Sequence, residues 1–416
     1  MASPAFTSVW CMLKKSIPLS AHSYPGNIGI LIDEALLSRS MAARIAWRNS
    51  FSDKLRFAAV VIGIVFSTLL IGIEVGFLEG FIRTTSALID HSKADLWITN
   101  FGARSFEAAS PIDYPKRFEA LGSSRVERAE PYFLQFSYWK RPDGVREVIT
   151  LIGVDPEAKM GIPWEMEDGR DPGTALAVPG GVLVDRLYAE KLGVKAIGDV
   201  VEINGVRAKI TGFTKAIRSF TQSPYVFTAL KNAQDILKTP PSVISYILIR
   251  LKPGENARAA VREISRRLPN SDVMTTSEFA TRSQNYWLHT TGAGASLIGS
   301  AVLGFVVGSI IVGQTLYTST IERIAEYAAL RAIGAPKMFL YQIVLVQAMI
   351  AGVLGYAIGM AGVLAISYVS KNGSASIVAS PEITLIMFVI DIVMCGCSSL
   401  ISVRRLTKVD PVSVFR

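Results

Sequence analysis

Uninterrupted apolar runs fall in one early block and three late blocks, with a stretch of ordinary soluble composition between them. Phe57 to Ile73 carries no charge, which is the short end of spanning length. Helical periodicity continues through Val75, Phe77, Leu78, Phe81 and Ile82, with Glu74 and Glu79 interspersed. The pattern predicts one helix over 57–82 that leaves the bilayer and continues as a stalk, with Glu74 interfacial. No Asp, Glu, Lys or Arg occurs from Ser283 to Ile321, which predicts a second span over 286–317. A third, 338–369, lies between Lys337 and Lys371. A fourth, 382–403, follows Pro381 and is charged only at Asp391 and Glu382. Continuously apolar segments must be helices, because unpaired backbone groups are too costly in hydrocarbon and a barrel needs alternating strands.

Between the first and second blocks the pattern changes to that of a folded soluble domain, 83–285. ADLWITN (94–100), REVITLIGV (146–154), GGVLVD (180–185) and SYILIRL (245–251) read as strands. VVEINGVRAKITGF (200–213) reads as two strands around Asn204-Gly205, the best short-range hairpin signal in the chain. YAEKLG (188–193) and NARAAVREISRRL (256–268) read as helices, the second with an apolar stripe of Ala257, Ala260, Val261, Ile264 and Leu268. The expected fold is therefore an α-helical membrane protein with four transmembrane helices plus a large extracytoplasmic α+β domain, mostly sheet.

Small residues recur four apart in the second span, at Gly292, Ser296, Ser300, Gly304 and Gly308. The third span carries Gly352, Gly355, Gly359 and Gly362. Such faces permit close approach of helix backbones in lipid. They predict helix packing there, and a homodimer formed through one face or the other.

Basic residues flank the apolar blocks. Residues 36–56 hold Arg39, Arg44, Arg48, Lys54 and Arg56; the loop 318–337 holds Arg323, Arg331 and Lys337; the tail 404–416 holds Arg404, Arg405, Lys408 and Arg416. The loop between the third and fourth blocks has only Lys371. Positive residues stay inside, so both termini and the 318–337 loop are expected in the cytoplasm and 83–285 outside it. Residues 36–56 read as a helix, either lying in the membrane surface or leading straight into the span. Residues 1–35 read as an extension without the apolar core of a signal peptide.

Half of the 416 residues are apolar and 19% are charged, against about 25% in ordinary soluble chains. The net charge of +9 accompanies no nucleic-acid-binding signature, so no nucleic-acid partner is expected; the partner surface is the lipid bilayer. The three cysteines, Cys11, Cys395 and Cys397, all lie outside the middle domain, which therefore holds no internal disulfide. No P-loop, G-x-S-x-G, H-E-x-x-H, C-x-x-C or dinucleotide motif occurs. The reading is no enzyme, no cofactor and no metal. Asp391 has two readings, an ion-relay group or a carboxylate hydrogen-bonded to a neighbouring helix. The spans offer it no Lys, Arg or His, which favours the second.

The loop TIERIAEYAALRAIGAPKM contains a short helix that Gly334 can end and Pro336 cannot continue. It suits docking into another protein's groove, or lying against the bilayer. Its ERIAEYAALRAIGAP resembles the E-x-x-x-L-R-A-x-G-A segment of FtsX-like, MacB-like ABC transporter permeases, with Glu326, Leu330, Arg331, Ala332, Gly334 and Ala335 in place. DPVSVFR (410–416) is similar to that family's closing D-P-x-x-x-L-R, with Phe415 for leucine. The 180–213 segment also resembles the family's external domain. Among relatives the chain looks closest to the DevC-like branch.

The resemblance implies a homodimeric transport subunit bound to a separate ABC ATPase, on which any ATP hydrolysis depends. It implies a coupling helix in 318–337 bearing Glu322, Glu326, Leu330, Arg331 and Gly334. It also implies a periplasmic adaptor and an outer-membrane channel for export. A lipoprotein-release permease and a regulator of a cell-wall hydrolase are the alternatives the same resemblance leaves open.

Overall fold

The computed structural model describes residues 41–406 apart from 49, 222, 333, 372, 374 and 375. The expectations for 1–35 and for the DPVSVFR tail lie outside the described residues. Residues 41–48 are helical, and helix α1 (Lys54–Asp90) follows. Its 37 residues reach about 55 Å, well beyond the roughly 30 Å of a hydrocarbon core. Span and stalk are thus one element that extends past the expected 82.

The middle domain runs β1 (Leu96–Asn100), β2 (Ile112–Asp113), α2 (Lys116–Leu121), β3 (Val126–Lys140), β4 (Arg146–Val154), α3 (Pro172–Leu176), β5 (Gly181–Asp185), α4 (Ala189–Leu192), β6 (Val200–Ile203), β7 (Val206–Thr214), β8 (Tyr225–Ala229), α5 (Leu230–Leu237), β9 (Val243–Ile244), β10 (Tyr246–Leu251), α6 (Ala257–Arg267), β11 (Ser271–Thr275) and α7 (Thr276–Asn285). Nine strands form one sheet in the order β11-β1-β10-β3-β4-β8-β5-β7-β6. The pairs β4–β8 and β5–β7 are parallel and the rest antiparallel. The far end of β3 also pairs with β6, through Trp139 opposite Ile203, which closes β3, β4, β8, β5, β7 and β6 into a ring.

Trp139, Leu151, Val182, Val184, Ile203 and Ile210 are buried together in one cluster, and the Trp139 indole donates to the Leu192 carbonyl at 3.0 Å. A second cluster gathers Trp97, Phe106, Tyr132, Tyr246 and Phe279, with ring centroids 5.4–5.9 Å from Trp97. The expected hairpin is present. Asn204 (φ 51°) and Gly205 (φ 80°) both take positive φ, the requirement of a two-residue type I′ turn.

A capping box starts α7: Glu278 N–H donates to Thr275 Oγ1 and Thr275 N–H to the Glu278 carboxylate. A π-helical turn, Tyr286–Thr290, separates α7 from α8 (Gly292–Glu322). The second long helix therefore begins at Gly292, not 286. The chain continues with α9 (Ile324–Ala332), α10 (Lys337–Ser370) and α11 (Pro381–Leu406). Helices α1, α8, α10 and α11 are each long and apolar enough to cross a membrane.

Candidate functional site

Helix α8 ends at Glu322, and a single turn residue, Arg323, separates it from α9. The end of α9 is fixed by Gly334, whose φ of 97° suits glycine alone. Gly334 N–H donates to the Arg331 carbonyl and Ala335 N–H to the Leu330 carbonyl, which satisfies the last turn. One face of α9 is buried: Tyr327 packs with Ala42, Ala46, Leu340, Ile343 and Val344, and Ile324 and Leu330 lie against that cluster. The Tyr327 hydroxyl donates to Gln347 Oε1 at 3.1 Å. Leu330 is half-buried and contributes to the chain's own packing. Glu322, Ala325 and Glu326 are exposed, and Arg331 is half-buried.

Glu322 is tied to the start of the first span, 3.1 Å from Arg56, which also meets Asp53 at 2.9 Å. Glu326 lies 3.8 Å from the buried Arg323 and keeps about half of its side chain in solvent. The sequence marks Arg56 only as part of the basic flank; its pairing with Glu322 is not legible there, because nothing local links residues so distant in the chain.

Part of each small-residue face is filled within the chain. A side-chain carbon added at Gly304 would meet Glu74 and Leu70 of α1, and one at Gly308 would lie 3.0 Å from Ile71 and closer still to Ser67. On α10, such a carbon at Gly355 would meet Ile64, at Gly359 Thr68 (2.7 Å) and at Gly362 Leu69 (2.7 Å), while at Gly352 it would meet Cys395 of α11 (3.2 Å). These glycines let α8 and α10 close onto α1, and α10 onto α11. These contacts lie within one chain; that one of the faces also joins two copies stands as a proposal. Gly292 has open space beside it, Ser296 is exposed and Ser300 is half-buried.

Asp391 is fully buried, and Thr68 Oγ1 of α1 lies 2.5 Å from its Oδ2. Its Oδ1 has no hydrogen-bond partner among the described residues. In the middle domain, Glu107 is 7% exposed and accepts the Trp287 indole N–H at 3.0 Å. Burial pushes its carboxyl up from 4.5 to about 7, with the indole bond opposing. Among the described residues no group of three or more His, Cys, Asp or Glu is arranged to hold a metal ion.

Residues 57–267 match the model of the MacB-like periplasmic core domain, and residues 298–411 match that of the FtsX-like permease C-terminal region. An uncharacterised ABC transporter permease of Mycobacterium tuberculosis is 24% identical over 375 residues, 89% of this chain and 97% of that one. The macrolide export ATP-binding/permease protein MacB of Agrobacterium fabrum is 23% identical over 425 residues, 96% of this chain and 63% of that protein. The crystal structure of the periplasmic region of MacB from Actinobacillus actinomycetemcomitans aligns with 47% of this chain and 94% of its own, at 13% identity and a TM-score of 0.37. Four apolar helices and an extracytoplasmic α+β domain place the protein in the inner membrane as a multi-pass component. The chain belongs to the MacB/FtsX-like family of ABC transporter permeases.

Proposed function

We propose that this permease passes motion driven by a separate ATPase to its extracytoplasmic domain, for export with a periplasmic adaptor. The observation that carries the reading is α9, a short capped helix with a buried back and an exposed edge at Ala325 and Glu326, preceded by the exposed Glu322 at the end of α8. A helix held firmly from behind transmits force; one free on both sides bends. Tyr327 supplies that backing through its packing and its bond to Gln347.

On this reading both termini and α9 face the cytoplasm, which the basic flanks support. The protein acts as a homodimer on two ATPase copies, and hydrolysis belongs to the partner. The finer assignment, a DevC-like exporter working with an outer-membrane channel, rests on the sequence resemblance.

Co-purification from the native host tests the proposal. The full chain, solubilised in mild detergent, is expected to bring down an ABC ATPase, and with crosslinking an adaptor. Recovery of the chain with neither partner, from cells expressing it at native level, would overturn the reading.

A further inference from the structure

The segment after the third span is pinned to the extracytoplasmic part of the protein. Arg218, in the loop between β7 and β8, donates from Nε to the Gly373 carbonyl at 3.0 Å and from its terminal nitrogen to the Lys371 carbonyl. These carbonyls lie just beyond Ser370, the end of α10, where a helix leaves acceptors unsatisfied and a cation is favoured. The planar guanidinium fork suits two neighbouring acceptors better than an ammonium does.

The same segment is tied to the stalk. Val378 N–H donates to the Gly76 carbonyl at 2.9 Å, and Gly80 faces the Ser376 carbonyl so closely that only glycine fits. Ser367 Oγ donates to the Ile377 carbonyl at 2.7 Å, and Ile377 N–H to Ser370 Oγ at 3.1 Å.

Arg218 is itself held by the sheet. Asp185, 1% exposed at the end of β5, accepts from Ile217 N–H at 2.7 Å and from Thr214 Oγ1 at 2.8 Å. Ser219 N–H donates to the Tyr188 hydroxyl at 3.1 Å. Both neighbours of Arg218 are thus bonded to buried side chains, so the loop has little freedom to swing. Arg218 also lies close enough for its charge to act on Asp185 and Tyr188.

We infer that Arg218 is a positioning residue that locks the outer end of the third span to the end of β5 through the β7–β8 loop of the sheet domain, so that a shift of that end moves the domain. The inference rests on the proposed transmission of motion, and it names one connection through which the motion passes. A loose contact would dissipate a displacement. A fork carried on a loop that Asp185 and Tyr188 hold at both sides passes it on.

Hydrogen exchange on the full chain in lipid nanodiscs tests this without the ATPase. In Arg218→Ala the amides of Ile377 and Val378 are expected to exchange about tenfold faster or more, with Arg218→Lys intermediate. The decisive reading is coupling across the clamp. Asp185→Asn is expected to speed exchange at Val378 in the wild-type background and to add nothing in Arg218→Ala. Unchanged exchange at Ile377 and Val378 in Arg218→Ala overturns the inference, as do additive effects of the two substitutions. Should Asp185→Asn fail to fold, Tyr188→Phe, which removes only the hydroxyl, takes its place in the cycle. Failure here leaves ATPase co-purification untouched, so the clamp and the permease reading fail separately.

Discussion

Thr68 Oγ1 sits 2.5 Å from Asp391 Oδ2, so a hydroxyl of the first span meets the carboxylate buried in the fourth. The contact joins residues that the chain separates by nearly the whole membrane and extracytoplasmic sequence. The hydroxyl is also 2.9 Å from the Ile64 carbonyl of its own helix, a second acceptor for its one proton.

Thr68→Val keeps the shape and removes the hydroxyl. Interhelical hydrogen bonds in membranes average about 0.6 kcal/mol and reach about 1.7, and a loss in that range is expected on unfolding the full chain in mixed micelles. Thr68→Val and Asp391→Asn together should cost less than the sum of the two alone, because they share one contact. Strict additivity would show that the two side chains do not interact in the folded protein.

The glycine faces call for the opposite kind of test. Gly359→Leu drives a side chain into Thr68 and the Val65 carbonyl. Overpacking of this kind typically costs about 1–3 kcal/mol. The expected result is a lower yield of folded protein and a lower unfolding temperature. Crosslinking between copies should be unchanged in the fraction that folds. A variant of wild-type stability that has lost its intersubunit crosslink would return this face to the dimer.

The long helices and the hairpin were legible because each declares itself locally. Apolar runs without charge have few other destinations, and Asn204-Gly205 supplies the two positive φ values of a tight turn. Strand β3 is the main element the pattern concealed. From Ala129 to Leu134 every residue is buried, so period-two alternation vanishes, and Pro131 in its middle argues against a central strand. The strand persists because β10 and β4 flank it and its far end turns to β6.

The site divides along the same line. Gly334 and the capped end of α9 follow from adjacent residues. The pairings Arg56–Glu322, Thr68–Asp391 and Arg218–Gly373 join positions that no local spacing connects. Small-residue spacing carries no information on which helix it meets or whether that helix belongs to the same chain; within this chain Gly304, Gly308, Gly355, Gly359 and Gly362 face α1.

Glu107 gives the extracytoplasmic domain a pH dependence of defined sign. Its folded value of about 7 lies above the ordinary 4.5, because burial penalises the charged form. Its contribution to stability is therefore complete below 4.5 and is lost as pH rises through about 7. The full difference is worth about 3 kcal/mol. Glu107→Gln removes the titration and keeps an acceptor for the Trp287 indole. Unfolding of the full chain in detergent should show the variant gaining on wild type between pH 5 and pH 8.5. A gap that stays constant across that range would mean the carboxyl does not titrate there.

The coupling assignment turns on Glu326 and Arg331, which differ in surroundings. Glu326 is exposed, with the long 3.8 Å approach of Arg323 beside it, and it is available to an arginine on a partner. Arg331 is half-buried, and its carbonyl receives the Gly334 N–H that closes α9. Substituting Glu326 alone should leave the helix standing, since Tyr327 and Ala328 hold its buried face. If Glu326 becomes a buried ion pair on docking, removing it costs about 3–5 kcal/mol of affinity. A pair left in solvent is worth only about 0.2–1 kcal/mol. Glu326→Ala is therefore expected to reduce ATPase co-purification by more than about tenfold while the chain inserts and unfolds as wild type does. Arg331→Ala should weaken both co-purification and thermal stability. Charge reversal separates contact from decoration: Glu326→Lys should bind worse than Glu326→Ala, because it sets like charges against each other. Equal ATPase recovery from wild type, Glu326→Ala and Glu326→Lys at equal expression would remove Glu326 from the interface and leave α9 as a connector between two spans.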